Sequence, residues 1–260
     1  MRAWTGLSSR RRLLYGVVAA LVVALAVVLG VRALAGPDRS GTPAQDRPGP
    51  VLLVPGYGGN RDSLGALAGR VRATGREALV LTLPGNGTGD LLAQVAVLDR
   101  EVDAALAAGA PSVDVIGYSA GGVVARLWVA RNAGEHRARR VVTLGAPLHG
   151  TRLAATGGVV VPDACPTACQ QLAPGSALLN SVAGAPVPLP WLSIWTENDQ
   201  TVTPPDSARL DGATNVALQQ LCPEVRTGHS ELPTDRLVTA LVLRAVGTAP
   251  LTARVPDTGC

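Results

Sequence analysis

The stretch VDVIGYSAGG, residues 113–122, decides the fold that this sequence predicts. A strand-like run rich in β-branched residues precedes Ser119, and VVARLWVARNAG, with apolar residues at helical spacing, follows it. Glycines at positions 117 and 121 remove side chains that would collide in so sharp a turn. The pattern predicts a nucleophile elbow, in which the Ser119 hydroxyl stands at the carboxyl end of a strand and the Ala120 N–H lies beside it.

The alternation of short apolar runs with helical segments continues along the chain from Pro50. It predicts βαβ units, and hence an α/β fold with a mostly parallel sheet of about six strands and helices on both faces. The predicted strands are residues 51–54, 78–83, 113–116, 140–144, 191–195 and 215–218. The predicted helices are residues 62–73, 90–107, 121–132, 205–210 and 233–246. Residues 148–190 break this rhythm, and loops of that length are often functional.

The charge of the chain is concentrated at its N-terminus. The formal net charge is +4, and every basic residue is an arginine. Residues 1–35 contain five arginines and no acidic residue, which leaves 18 arginines against 19 acidic residues in the remainder. The remainder therefore gives no electrostatic reason to expect nucleic-acid binding. The absence of lysine excludes Schiff-base, Ser-Lys and phosphate-loop chemistry.

The N-terminal segment is predicted to direct export. Its basic start, MRAWTGLSSRRR, is followed by about 19 uncharged and mostly apolar residues, which is enough to span a bilayer. An A-x-A cleavage site at residues 33–35 and a weak twin-arginine match at residues 9–14 leave open whether residues 1–35 are a cleaved signal or a retained membrane anchor. We expect residues 36–49 to be a flexible linker and residues 50–260 to be a monomeric catalytic domain, either secreted or anchored to the outer face of the cytoplasmic membrane.

Four cysteines in an exported chain predict two disulfides. Cys165 and Cys169 share a short loop that contains proline, which favours a local pair and leaves Cys222 to join Cys260. The sequence alone permits three connectivities. No metal site is indicated, because the chain has no paired C-x-x-C motif and no adjacent histidine cluster.

A serine nucleophile needs a general base, and the chain has three histidines. His136 lies in a charged, surface-like stretch and is expected to be solvated. His149 follows a predicted strand and could approach Ser119. His229 follows the last predicted strand, at the sheet edge where Ser119 is expected. The chain order Ser, acid, His is typical of such folds and favours His229.

The acid is expected in WLSIWTENDQTVTPPD, residues 191–206, after a predicted strand. Asp199 is the preferred candidate, because the irregular stretch that follows it can turn its carboxylate toward His229. Glu197 is nearer the strand end and remains an alternative. Asp206 is expected to begin or cap a helix.

An oxyanion hole needs two backbone donors. The Ala120 N–H is predicted to be one of them. The glycine-rich stretch PGYGG, residues 55–59, follows the first predicted strand and could present the Tyr57 N–H as the other. Glycine-rich turns also bind phosphate, but this one lacks G-x-G-x-x-G and a phosphate-loop lysine.

Taken in order, these blocks resemble a known family. VPGYGG, GYSAGGVVAR, TLGAPLHGT, the segment around Asp199 and GHSELP are similar to the matching blocks of exported α/β-hydrolase lipases and esterases of actinobacteria. More distantly they resemble the small lidless Bacillus lipases. The resemblance spans about residues 50–246, and it implies Ser119 as nucleophile, Asp199 as acid and His229 as base. It also implies an oxyanion hole from Tyr57 and Ala120.

Two positions depart from the family pattern. Pro55-Gly56 stands where many such lipases have His-Gly. This difference does not affect an oxyanion hole whose donors are backbone N–H groups. Position 120, often Met or Leu in related lipases, is Ala, which alters the room around the acyl group. The block TLGAPLHGT is implied to be a structural strand and turn.

The function expected from these residues is hydrolysis of carboxylic esters, with acyl glycerols or other lipid esters as substrates. The reaction would pass through an acyl-enzyme on Ser119 and would need no metal or organic cofactor. One alternative keeps the acyl-enzyme but transfers the acyl group to an acceptor in the cell envelope. Another is a membrane-tethered binding module with an inactive hydrolase fold.

Overall fold

The computed structural model describes residues 9–35, 41–160, 165–254 and 260. The chain divides into two units, Met1–Gly41 and Thr42–Cys260. Within the first unit, helix α1 spans Ser9–Ala35. Among the described residues, no helix has the combination of length and apolar character that crossing a bilayer requires.

The second unit begins at Thr42, earlier than the boundary at Pro50 that the sequence predicts. The reason is that residues on a distant strand bind this part of the chain. Arg139 Nη1 donates to the Gln45 carbonyl over 2.8 Å, and Arg140 Nε donates to Gln45 Oε1 over 2.9 Å. Gln45 is therefore held against the folded unit, within the stretch that the sequence predicts to be a linker.

A six-stranded sheet forms the centre of the second unit, with the order β2-β1-β3-β4-β5-β6. Each described pair of neighbouring strands is parallel, as the sequence predicts. The order reverses between β1 and β3, and ligands of open parallel sheets bind at the carboxyl ends of the strands near such a switch point. The strands are β1 Val51–Val54, β2 Ala78–Val80, β3 Val113–Tyr118, β4 Ala138–Leu144, β5 Trp191–Trp195 and β6 Thr214–Ala217.

Helices cover both faces of the sheet, also as predicted. Alternate strand residues divide between two buried clusters, so that Leu52 and Val115 pack with α3 and α4 while Leu53 and Ile116 pack with α2 and α9. This double burial explains why the strands are almost wholly apolar. The helices after α1 are α2 Gly65–Arg72, α3 Leu91–Ala107, α4 Ala120–Arg131, α5 Arg152–Val160, α6 Thr167–Gln171, α7 Ala177–Asn180, α8 Leu218–Leu221 and α9 Arg236–Val246. Short 3-10 turns lie at Asp62–Leu64, Gly134–His136, Pro205–Ala208 and His229–Glu231.

A buried ionic cluster lies at the amino ends of β3 and β4. Asp114, 1% exposed, accepts from Arg139 Nε over 3.0 Å and from Arg76 Nη1 over 2.7 Å. Arg139 also donates to the carbonyls of Val246 and Gly247 at the end of α9. These carbonyls have no partner within the helix, and a cation at the negative end of its dipole stabilises them.

The segment between β4 and β5 contains three short helices, α5 to α7, where the sequence predicts an irregular loop. The disulfide Cys165–Cys169 lies at the start of α6, and Gly157 of α5 packs against it. A second disulfide joins Cys222 to Cys260. Both pairs are those that the sequence favours, and the stretch 161–164 of this segment lies outside the described residues.

Candidate active site

Ser119 occupies a strained turn between β3 and α4. Its backbone angles are φ 53° and ψ −126°, and the only other described non-glycine residue with positive φ is Ala133. The neighbouring glycines are required by close backbone approach. A Cβ on Gly117 would lie 2.5 Å from the Gly121 carbonyl oxygen, and a Cβ on Gly121 would lie 2.5 Å from the Pro55 carbonyl oxygen. The predicted elbow is therefore present, and its geometry directs the Ser119 side chain away from the strand.

The structure brings Ser119, His229 and Asp199 together from the carboxyl ends of three parts of the sheet. His229 Nε2 lies 3.0 Å from Ser119 Oγ, and His229 Nδ1 lies 2.6 Å from Asp199 Oδ2. The carboxylate is 1% exposed and the imidazole 10% exposed. Both distances are within hydrogen-bonding range, so one ring nitrogen contacts the hydroxyl while the other contacts the acid.

The carboxylate of Asp199 is fixed by the backbone that follows it. Its Oδ1 accepts from the Thr201 N–H over 2.9 Å and from the Val202 N–H over 2.7 Å, which leaves Oδ2 for the imidazole. Glu197, the alternative acid, is exposed, and its N–H donates to the side chain of Gln219. The geometry favours Asp199 over Glu197, because Asp199 and not Glu197 makes a hydrogen bond with the His229 ring among the described contacts.

The other two histidines lie elsewhere. His149 Nε2 is 3.0 Å from the carbonyl oxygen of Arg209, at an exposed contact between two loops. His136 Nε2 is 3.8 Å from Glu135 Oε1, and its side chain is 37% exposed. Asp206 is the second residue of the 3-10 turn Pro205–Ala208, whose N-cap is Pro204, so it does not begin or cap a helix as the sequence predicts.

The loop after β1 lies directly against Ser119. A Cβ on Gly56 would lie 3.0 Å from Ser119 Cβ, so the backbone of Gly56 and Tyr57 passes beside the elbow. Ala120 opens α4, and the first N–H groups of a helix have no intrahelical partner. Among the described residues, neither the Tyr57 N–H nor the Ala120 N–H donates to another backbone group.

Tyr118 is a site residue that the sequence does not predict. Its ring centroid is 5.3 Å from that of His229, and its hydroxyl donates to the His229 carbonyl over 3.2 Å. Burial, together with the negative charge of Asp199, raises the pKa of Tyr118 to about 12. The phenol is thus a neutral donor at physiological pH. Its place before Ser119 in the motif is the one sequence signal that points to it.

Within the part of the chain that the structure describes, no cluster of three His, Cys, Asp or Glu side chains is arranged to hold a metal ion. The groups that meet at Ser119 are a hydroxyl, an imidazole and a carboxylate, with the backbone of Gly56 beside them. Together they are the set that acyl transfer through a covalent intermediate requires.

Solved structures with the same architecture come from several organisms. Lipase B of Aspergillus fumigatus matches with a TM-score of 0.67 and 18% identity, over 81% of this chain and 55% of that one. The mature Bacillus licheniformis lipase BlEst2 matches with a TM-score of 0.62 and 18% identity, over 82% of this chain and 94% of that one. The chain has the α/β-hydrolase fold. It spans about half the length of the Aspergillus enzyme but nearly the whole of the mature Bacillus enzyme.

A further match is the lin2722 gene product of Listeria innocua, with a TM-score of 0.57 and 13% identity, over 80% of this chain and 97% of that one. No protein-family model matches the chain, and the search of curated proteins finds no match. At such identities the likeness establishes the fold, and the chemistry must be argued from the site itself.

Proposed function

We propose that this chain is a serine hydrolase that cleaves carboxylic esters, with Ser119, His229 and Asp199 as its catalytic triad. The single observation that carries the proposal is the continuous hydrogen-bond chain from Ser119 Oγ through His229 to Asp199, with the serine in a strained elbow. The lipases among the structural neighbours support the same class of reaction. Lipid esters, such as acyl glycerols, are the proposed substrates.

In the proposed reaction, His229 Nε2 accepts the Ser119 proton as Oγ attacks the acyl carbon. The oxyanion that forms accepts hydrogen bonds from the N–H groups of Tyr57 and Ala120. The alcohol leaves with the proton from His229, and an ester remains on Ser119. Water, activated by the same imidazole, then releases the acid. Asp199 holds the Nδ1–H of His229 and stabilises the imidazolium at each step.

The test compares substitutions in the full chain on p-nitrophenyl esters of increasing chain length. Ser119→Ala and His229→Ala should each lower kcat by about 10⁵–10⁶-fold with the fold intact. Asp199→Asn should lower it by on the order of 10⁴-fold, because the amide can hold His229 in the wrong tautomer. The matched control is Glu197→Gln, which should retain full activity. Loss of activity in the control with activity kept in Asp199→Asn would reject the acid assignment.

A fluorophosphonate probe separates an active enzyme from an inactive binding module. Wild-type protein should form a covalent adduct at Ser119, and Ser119→Ala should not. Absence of an adduct on folded wild-type protein would favour the binding module. Partition of the product between free acid and a transferred ester, measured with an added alcohol acceptor, distinguishes hydrolysis from acyl transfer to an envelope component.

We also propose that the protein is exported. Cys165–Cys169 and Cys222–Cys260 are supporting observations, because disulfides persist in oxidising compartments. We propose a monomer that acts outside the cytoplasm, secreted or held by its N-terminal segment. Fractionation of the producing cells, with size-exclusion chromatography of the product, tests location and oligomeric state together.

A further inference from the structure

The block TLGAPLHGT, residues 143–151, has no part in the chemistry proposed above. It runs from β4 to the start of α5 and ends at Thr151, a residue that is only 6% exposed. A buried threonine hydroxyl must find hydrogen-bond partners, because an unsatisfied buried polar group is costly. The partners of Thr151 connect this block to the proposed acid.

Both hydrogen bonds of the Thr151 hydroxyl reach the loop that follows Asp199. Thr151 Oγ1 donates to the Thr201 carbonyl over 2.8 Å and accepts from the Thr203 N–H over 3.0 Å. The backbone continues the contact, because the Arg152 N–H donates to the Thr203 carbonyl over 2.8 Å. One hydroxyl therefore holds two backbone groups of a loop that is about 50 residues away in sequence.

The same short loop holds the carboxylate. The N–H groups of Thr201 and Val202 donate to Asp199 Oδ1, while the Thr201 carbonyl and the Thr203 N–H are the groups that Thr151 binds. The Thr201 peptide unit and its neighbours are thus held from both sides. The position of Asp199 Oδ2, 2.6 Å from His229, depends on where this loop lies.

We propose that Thr151 is a positioning residue for Asp199: its hydroxyl fixes the loop of residues 201–203 so that the carboxylate is held in line with His229. The inference rests on the proposed function. It deepens that function by assigning a role to a residue of the block that the family resemblance implies to be only a strand and turn. Thr151 touches neither the imidazole nor the reacting hydroxyl in the described contacts, so it acts through Asp199 alone.

The central experiment removes the hydroxyl and keeps the shape. Thr151→Val should lower kcat by about 10- to 100-fold with KM unchanged, because small displacements of a catalytic group have effects of this size. Thr151→Ser keeps the hydroxyl and should restore kcat to within about 3-fold of wild type, within the scatter of conservative changes. Thr151→Ala is a second variant without the hydroxyl and should resemble Thr151→Val.

Thr143→Val is the matched control. The Thr143 hydroxyl is fully buried on β4 and donates to Ser193 Oγ over 3.0 Å, with no contact to the loop of residues 201–203. Its removal should lower the thermal unfolding midpoint while kcat stays at the wild-type value. A purely structural role for Thr151 would give the same result as this control.

A double-mutant cycle identifies the route of the effect. In an Asp199→Asn background, Thr151→Val should cost little more than Asp199→Asn alone, because residues that act as a unit are not additive. Fully additive losses would overturn the proposal, as would unchanged kcat in Thr151→Val. Failure of both Thr151→Val and Thr151→Ala to fold would assign the residue to folding instead. Activity of Ser119→Ala equal to that of wild type would reject the proposed function itself, which is a separate result.

Discussion

Replacement of Asp114 by asparagine should cost about 3–5 kcal/mol of unfolding free energy, the range found when one partner of a buried ion pair is removed. Asp114 is 1% exposed and receives hydrogen bonds from Arg76 and from Arg139, which is fully buried. At an effective dielectric constant of about 20, each attraction is worth about 4 kcal/mol for charge centres about 4 Å apart. Part of the sum is offset, because asparagine avoids the desolvation cost of a carboxylate. Its amide N–H₂ would instead face arginine N–H groups.

The assay is reversible denaturation of the full chain in urea and by heat. A loss of 3–5 kcal/mol is a large part of the 5–15 kcal/mol that stabilises a typical domain, and it should lower Tm by about 6–20 °C. Glu224→Gln is the control, because Glu224 and Arg226 form an ion pair that is 93% and 75% exposed, and exposed pairs contribute little. A loss below about 1 kcal/mol in Asp114→Asn would refute the reasoning, because the buried arginines would then not depend on the carboxylate.

Three further changes test other parts of the structure. Gly121→Ala should destabilise the fold by about 1–3 kcal/mol, because the added Cβ would overlap the backbone of Val54. Gly89→Ala is the control, since a Cβ at that position meets no other atom. Urea denaturation of the two variants should show the difference, and equal midpoints would contradict it. Tyr118→Phe should remove an absorbance step near pH 12 in a tyrosinate titration. Because the pKa of Tyr118 is raised, its contribution to stability is present at neutral pH and is lost as the pH rises through about 10 to 12. The difference in unfolding free energy between wild type and Tyr118→Phe should therefore shrink over that pH range. Replacing Cys222 and Cys260 together by alanine should lower the unfolding free energy by about 4 kcal/mol, because that disulfide closes a long loop. Replacing Cys165 and Cys169, which close a short loop, should lower it by about 2 kcal/mol. Equal losses in calorimetry would show that loop entropy does not determine the effect.

Much of the sheet and the positions of the candidate triad follow from local patterns in the sequence. Trp191–Trp195 and Val51–Val54 are strands with the predicted ends, because apolar runs bounded by proline or polar residues determine both. Ser119 is recognisable from G-x-S-x-G between a strand and a helix. His229 and Asp199 follow from chain order, and the structure brings both to Ser119.

Features that depend on distant partners are not readable from the sequence. Gln45 belongs to the folded unit because arginines 94 and 95 residues later bind it, and the local composition of residues 36–49 indicates only a linker. Predicted strand β2 extends to Leu83, but the ladder with β1 ends at Val80. Helices α5 to α7 are short and are flanked by glycine and proline, so the sequence shows no apolar spacing typical of a helix in this segment.

Thr151 and Tyr118 illustrate the same limit at the site. The hydroxyl of Thr151 bonds to residues 201 and 203, and that of Tyr118 bonds to residue 229, so each role depends on how the strand ends meet in space. A sequence motif can indicate a candidate nucleophile, but it does not identify the side chains that hold the candidate acid and base in position.

The contact of Gln45 with Arg139 and Arg140 determines where the polypeptide enters the folded unit. That entry point is at the amino ends of the strands, whereas Ser119 follows the carboxyl end of β3. Six residues of strand separate the two ends by about 20 Å. Chemical immobilisation of the unit through residue 42 should therefore leave the sheet edge that carries Ser119 away from the support, and a bead coupled at that position should not obstruct bulky esters.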